Sequence, residues 1–141
     1  MFNQKKIKGI FKKENFILTE YYAKTNETKE TNRLKLEVLD SNTIKLDINM
    51  GGKDAPSFIE ARLNLPQKET GELTLVVESI GHATLSCLDL STKSNEIGKD
   101  IRLYMGRFAT FLNLKDDSYI SFKFTHYTNY DRAGEIKITC I

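Results

Sequence analysis

The sequence predicts an all-β, single-domain protein: an antiparallel β-sandwich or barrel of about eight to ten short strands. Three observations carry this. Apolar and polar residues alternate with period two in segment after segment, which gives each strand one buried and one wet face. Clusters of turn-forming residues recur roughly every 8–12 residues, the spacing of a sandwich or barrel. The chain has 141 residues with no repeat and no linker-like stretch, the size of one domain spanning 1–141.

The elements follow in order. Residues 1–13 form a basic N-terminal segment, in which Lys5, Lys6, Lys8, Lys12 and Lys13 precede the first acid, Glu14. Residues 24–32 are the most polar stretch and read as an exposed loop. Leu34, Leu36 and Val38 alternate with Lys35 and Glu37, and Ile44, Leu46 and Ile48 alternate with Lys45 and Asp47. Asp40-Ser41-Asn42 lies between these two runs, so residues 33–49 read as a β-hairpin. A glycine-rich loop leads to Ile59, Ala61, Leu63 and Leu65, which alternate with Glu60, Arg62 and Asn64. The polar residues 66–71 then predict a turn before the run of Leu73, Leu75 and Val77. Ile80-Gly81-His82 predicts another turn, followed by a strand through Leu85 and Cys87.

Residues 98–114 carry two patterns. Ile101, Tyr104, Met105, Phe108, Phe111 and Leu112 recur at helical spacing, so one short helix within 98–112 is the alternative. Strands broken at Gly106 fit better, because glycine costs a helix about 1 kcal/mol relative to alanine. Lys115-Asp116-Asp117 is expected to turn one strand into the next, which runs through Ile120, Phe122 and Phe124. The chain closes on Ile136, Ile138 and Cys140, so 107–141 is expected to form a three-stranded meander.

Charge and composition exclude more than they assign. The net charge of +2 is too small to imply a partner, but outside the first thirteen residues acids outnumber bases. No apolar run reaches the ~20 residues of a membrane-spanning helix, so no membrane role is expected. No signal peptide is visible, so a cytoplasmic location is expected, with Cys87 and Cys140 as reduced, buried residues. The excess of lysine over arginine, with abundant asparagine and isoleucine, points to a low-GC bacterium or its phage.

No catalytic signature is present: there is no G-x-S-x-G elbow, H-E-x-x-H pair or phosphate-binding loop. His82, Cys87, His126 and Cys140 lack the close pairing of zinc ligands, so no metal and no cofactor are expected. The chain is therefore not expected to be an enzyme.

The aromatic residues are more informative. There are six tyrosines, eight phenylalanines and no tryptophan. Alternation puts Tyr119 and Tyr127 on the polar face that carries Ser121, Lys123 and Thr125, and Tyr130 follows in the next loop. Phe2, Phe11, Phe16, Tyr21 and Tyr22 interleave with the N-terminal lysines. Tyrosines on a wet face are enriched at protein interfaces, and with lysines they also stack unpaired bases and neutralise phosphates. The candidate binding residues are Tyr119, Lys123, Tyr127, Tyr130 and the five N-terminal lysines. The expected function is a non-catalytic protein-protein interaction module, such as an assembly subunit or an inhibitor or immunity-type protein. Its partner would be another protein or a second copy. The runner-up is a single-stranded nucleic-acid-binding protein of OB-like type, and a small-ligand site inside a barrel comes third.

Overall fold

Two long bent strands organise the molecule: β5 (Phe58–Ile80) and β8 (Arg107–His126). The computed structural model describes residues 5–80, 86–94, 96–102, 106–126 and 133–141. Around that ribbon lie β1 (Phe16–Tyr22), β2 (Glu27–Glu30), β3 (Leu34–Asp40), β4 (Thr43–Asn49), β6 (Ser86–Thr92), β7 (Glu96–Arg102) and β9 (Ala133–Cys140). Every pair of these strands is antiparallel. The all-β antiparallel expectation is met, and Gly106, at φ +94°, separates two strands rather than interrupting a helix.

The ribbon belongs to two layers. The first half of β5 pairs with β1 on one side and with the second half of β8 on the other. The second half of β5 pairs with β9 and with the first half of β8. One layer therefore runs β2-β1-β5-β8-β6-β7 and the other β3-β4-β9-β5-β8. Inward side chains from both layers merge into one core. Ile59, Ala61 and Leu63 from the first half of β5 join Leu73, Leu75 and Val77 from the second, with Ile44, Leu46, Leu88 and Phe122. The hairpin register pairs Leu36 with Leu46, as its alternation implies, but Leu36 is half-buried on the edge strand whereas Leu46 is fully buried.

The bend replaces two expected turns. Residues 66–71 and Lys115-Asp116-Asp117 do not reverse the chain. They lie opposite each other where the β5–β8 register breaks, between Asn64 and Gly71. Polar and glycine residues mark a bend as they mark a turn, because both interrupt the regular ladder. Asp116 takes φ +55°, and its N–H donates to Thr70 Oγ1 at 2.8 Å. Asp117 is buried, and its carboxylate accepts from the N–H groups of Ser94 and Lys115 and from Ser94 Oγ, at 2.8–2.9 Å. A carboxylate held by three donors is a satisfied buried charge.

Two further expectations are corrected. Residues 107–141 are not a meander, because β5 lies between β8 and β9. The polar stretch 24–32 is not all loop: β2 hydrogen-bonds to β1 as an exposed edge strand, its charged side chains protecting that edge.

The N-terminal segment closes one side. Ile7 and Phe11 are buried, while Lys5, Lys6, Lys8, Lys12 and Lys13 point to solvent. Backbone bonds join Ile7 N–H to Glu72 C=O and Glu72 N–H to Lys5 C=O, both at 2.8 Å. Gly9 N–H donates to Asn42 Oδ1 at 2.7 Å, and Phe11 N–H to Ser41 C=O at 3.0 Å. The segment thus ties the bend of β5 to the β3–β4 turn. Gly71, at φ +151°, makes the approach feasible: a Cβ there would collide with the Lys5 carbonyl oxygen and press on Ile7 at 3.2 Å.

Candidate functional site

The outward face of the β2-β1-β5-β8-β6-β7 layer gathers a strip of aromatic and polar side chains. Cross-strand register defines its rows. Thr28, Tyr21, Phe58, Thr125 and Cys87 stand in one row, Glu30, Thr19, Glu60, Lys123 and Asp89 in the next. Ile17, Arg62, Ser121 and Ser91 follow, then Asn64 and Tyr119. Rows on one face are two residues apart, so Phe58 and Asn64 are ~20 Å apart along β5. Rings therefore stand at both ends of the strip, and short or hydrogen-bonding side chains lie between them.

At one end the Tyr21 and Phe58 rings stack, with centroids 4.9 Å apart and planes 22° from parallel. The Lys123 ammonium lies 4.3 Å from the Phe58 centroid. At the other end the Arg62 guanidinium lies 4.2 Å from the Tyr119 centroid. Cations favour aromatic faces because the ring quadrupole is negative there. In the middle Ser121 Oγ donates to Glu60 Oε2, and Arg62 Nη2 is 3.7 Å from the same oxygen. Glu60 and Asp89 balance Arg62 and Lys123 at the centre, with Glu30 adding one acid at the β2 edge, so the strip offers donors and acceptors of both kinds.

Of the residues singled out in the sequence, Tyr119 and Lys123 lie on this face, as alternation implied. Tyr127 and Tyr130 lie outside the described residues. The five N-terminal lysines do not join the strip. They sit on the β1/β9 side of β5, Lys5 pairing with Glu69 at 3.6 Å, whereas Tyr119 and Lys123 are on β8, across β5. Tyr21 was noted among the N-terminal aromatics, whereas Phe58, Glu60, Arg62 and Asn64 were not expected as site residues. Alternation had placed Glu60, Arg62 and Asn64 on a wet face, but nothing local says that this face adjoins β8. No group of metal-ligating side chains occurs among the described residues.

A second concavity, about 850 Å³, lies at one end of the other layer, between Arg33, Lys35, Asp47, Asn49, Ile80 and Glu135. Among the described residues no aromatic ring lines it. Beside it Arg33 braces the loop after β4 by donating to Gly51 C=O at 2.7 Å, and its Nε is 3.8 Å from Glu20. Glu20 is buried and accepts from the Tyr22 hydroxyl, which raises the Tyr22 phenol pKa, with desolvation adding to the effect. This cluster holds β1 against the loop before β3. Cys87 and Cys140 are buried thiols, and burial pushes the Cys140 thiol up. No helix among the described residues is long and apolar enough to cross a membrane.

No protein-family model and no curated protein matches this chain. Several solved structures are similar to it. A family 11 carbohydrate-binding module of a cellulosomal cellulase from Clostridium thermocellum aligns with 99% of this chain and 92% of its own, at 10% identity and a TM-score of 0.49. The N-terminal cellulose-binding domain of a β-1,4-glucanase from Cellulomonas fimi covers 94% and 90%, at 11% identity and TM-score 0.48. A family 35 carbohydrate-binding module from Clostridium thermocellum covers 89% and 92%, at 9% identity and TM-score 0.47.

The expected function is corrected here, in both its forms. The similar structures are modules named for carbohydrate or cellulose, not protein-interaction or nucleic-acid domains. The face has the wrong chemistry for either role as well. Its centre is charged and hydroxylated, where the core of a protein interface is depleted of charge. A nucleic-acid strand would meet Glu60 and Asp89 on the strip and find the N-terminal lysines elsewhere. The phage or mobile-element origin read from composition is withdrawn together with the protein-binding function that it accompanied. The face itself carries the functional reading.

Proposed function

We propose that the chain is a non-catalytic carbohydrate-binding module that takes a neutral polysaccharide along the Tyr21–Tyr119 strip. The observation that supports this is the composition of that face: aromatic rings at both ends of a strip whose centre is charge-balanced and rich in hydrogen-bonding groups. A sugar ring has one face of C–H groups and a rim of hydroxyls. The C–H face packs on an aromatic ring by dispersion. Each hydroxyl both donates and accepts, so it suits carboxylates, a guanidinium, an amide and serine hydroxyls together. The ~20 Å between the terminal rows exceeds a single sugar and suits an oligomer of several rings.

Affinity electrophoresis against soluble β-glucan, xylan and mannan tests the proposal. The wild-type protein should be retarded by at least one of the three. Tyr119→Ala should lose much of that retardation while keeping its unfolding transition. Absence of retardation by all three would overturn the reading.

A further inference from the structure

We propose that the Arg62 guanidinium is a displaceable cover on the Tyr119 ring, which the polysaccharide must move aside to stack there. The inference deepens the carbohydrate reading and rests on it. Three features of Arg62 point the same way. Its guanidinium lies 4.2 Å from the Tyr119 centroid and so occupies one face of that ring. Its Nε–H is buried and has no hydrogen-bond partner. Its Nη2 is 3.7 Å from Glu60 Oε2, an ion pair beyond hydrogen-bond length to an oxygen that also accepts from Ser121.

A buried, unpartnered N–H is rare in native proteins and calls for an explanation. Here the contact with the ring is bought at the loss of that N–H's water. Moving the guanidinium outward forfeits the cation–ring contact but lets water or a sugar hydroxyl reach Nε. The side chain is 41% exposed, so it has room to move. Lys123 covers Phe58 in a similar way, but no buried orphan donor accompanies it. Arg62 is thus the cover that is easiest to displace. It acts as a filter: only a sugar face that covers the ring as well as the guanidinium does will replace it.

The experiment combines binding and nitrogen-15 NMR on wild type, Arg62→Ala and Arg62→Gln, using the polysaccharide that retards the wild type most. The Arg62 Nε–H signal, identified by its loss in both variants, should be shifted upfield by the ring and exchange slowly with water in the free protein. Saturation with the polysaccharide should abolish both properties. Both variants should bind several-fold more tightly than wild type. Weaker binding by the variants, with Tyr119→Ala still impaired, would make Arg62 a ligand contact, overturning the cover but not the carbohydrate reading. An unchanged Nε–H signal at saturation would overturn the cover too. No binding by wild type or either variant would remove both.

Discussion

Glu60 and Ser121 are hydrogen-bonded across the centre of the outward face although they are not register partners: Glu60 stands opposite Lys123, and Ser121 opposite Arg62. Arg62 keeps an ion-pair distance of 3.7 Å to the Glu60 oxygen that Ser121 also reaches, and both Arg62 and Lys123 lie on rings. Ser121 is only 2% exposed, so this contact forms the floor of the strip rather than its rim.

Ser121→Ala should therefore act on both stability and the face. Removing the donor leaves a mostly buried carboxylate short of a partner, at a cost of about 1–3 kcal/mol. Glu60 should then turn to Arg62 and draw it off Tyr119. Denaturant unfolding measures the first effect, and the tyrosine ring shifts in proton NMR report the second. A variant as stable as wild type, with unmoved Tyr119 signals, would show that the diagonal bond is not what holds the strip.

The hairpin allows a sharper test of packing. Leu46 is fully buried, and Leu46→Ala should cost about 2–5 kcal/mol. Leu36, its register partner, is half-buried on the edge strand, so Leu36→Ala should cost clearly less. Lys35 faces solvent, and Lys35→Ala should stay within about 0.5 kcal/mol. The three midpoints in urea should fall in that order.

Leu36 also shows how far local pattern reaches. Alternation gives the facing of Leu36, Leu46, Glu60, Arg62, Tyr119 and Lys123, because facing depends only on the parity of neighbours along one strand. It is silent on which strand adjoins which. Ser121 and Glu60 are 61 residues apart, and no local signal pairs their strands. The same blindness made a meander of 107–141, since the insertion of β5 between β8 and β9 is a long-range event. Pro66 and Asp116 were legible as breaks, but whether a break reverses the chain or bends it depends on the layer that the strand enters next. The N-terminal lysines drew attention as a charged cluster, while Ile7 and Phe11 between them carry the packing.

The Tyr22–Glu20 bond gives stability a dependence on alkaline pH. The Tyr22 phenol is raised above its ordinary value of 10.0, chiefly by the hydrogen bond to Glu20. A raised pKa means that the folded state holds the proton more tightly than the unfolded one. The contribution is fully present below the ordinary value and is lost as pH rises through the higher folded one. Tyr22→Phe should flatten the fall in unfolding temperature above pH 10 and leave the region near neutrality changed only by a constant. An identical alkaline slope in the variant would place the titrating group elsewhere.

The N-terminal segment and the Cys140 thiol are coupled, and Gly71 provides the lever. Cys140 Sγ donates to the Ile7 carbonyl at 3.3 Å, and Ile7 in turn is bonded to Glu72. Burial pushes the Cys140 thiol up, so near neutral pH it is protonated and shielded, and a thiolate is what reacts. Both cysteines of the native protein should therefore titrate slowly and become fast in denaturant. Gly71→Ala places a Cβ against the Lys5 carbonyl, at a backbone angle that L side chains rarely adopt, so the segment must shift. The loss should exceed about 1 kcal/mol, because strain and a displaced backbone pair add. If the segment lifts as a unit, one thiol should become fast in folded Gly71→Ala, and its loss in the Gly71→Ala, Cys140→Ser double variant would identify it as Cys140. A destabilised variant with two equally slow thiols would show that the strain is absorbed at the bend and that the segment stays in place.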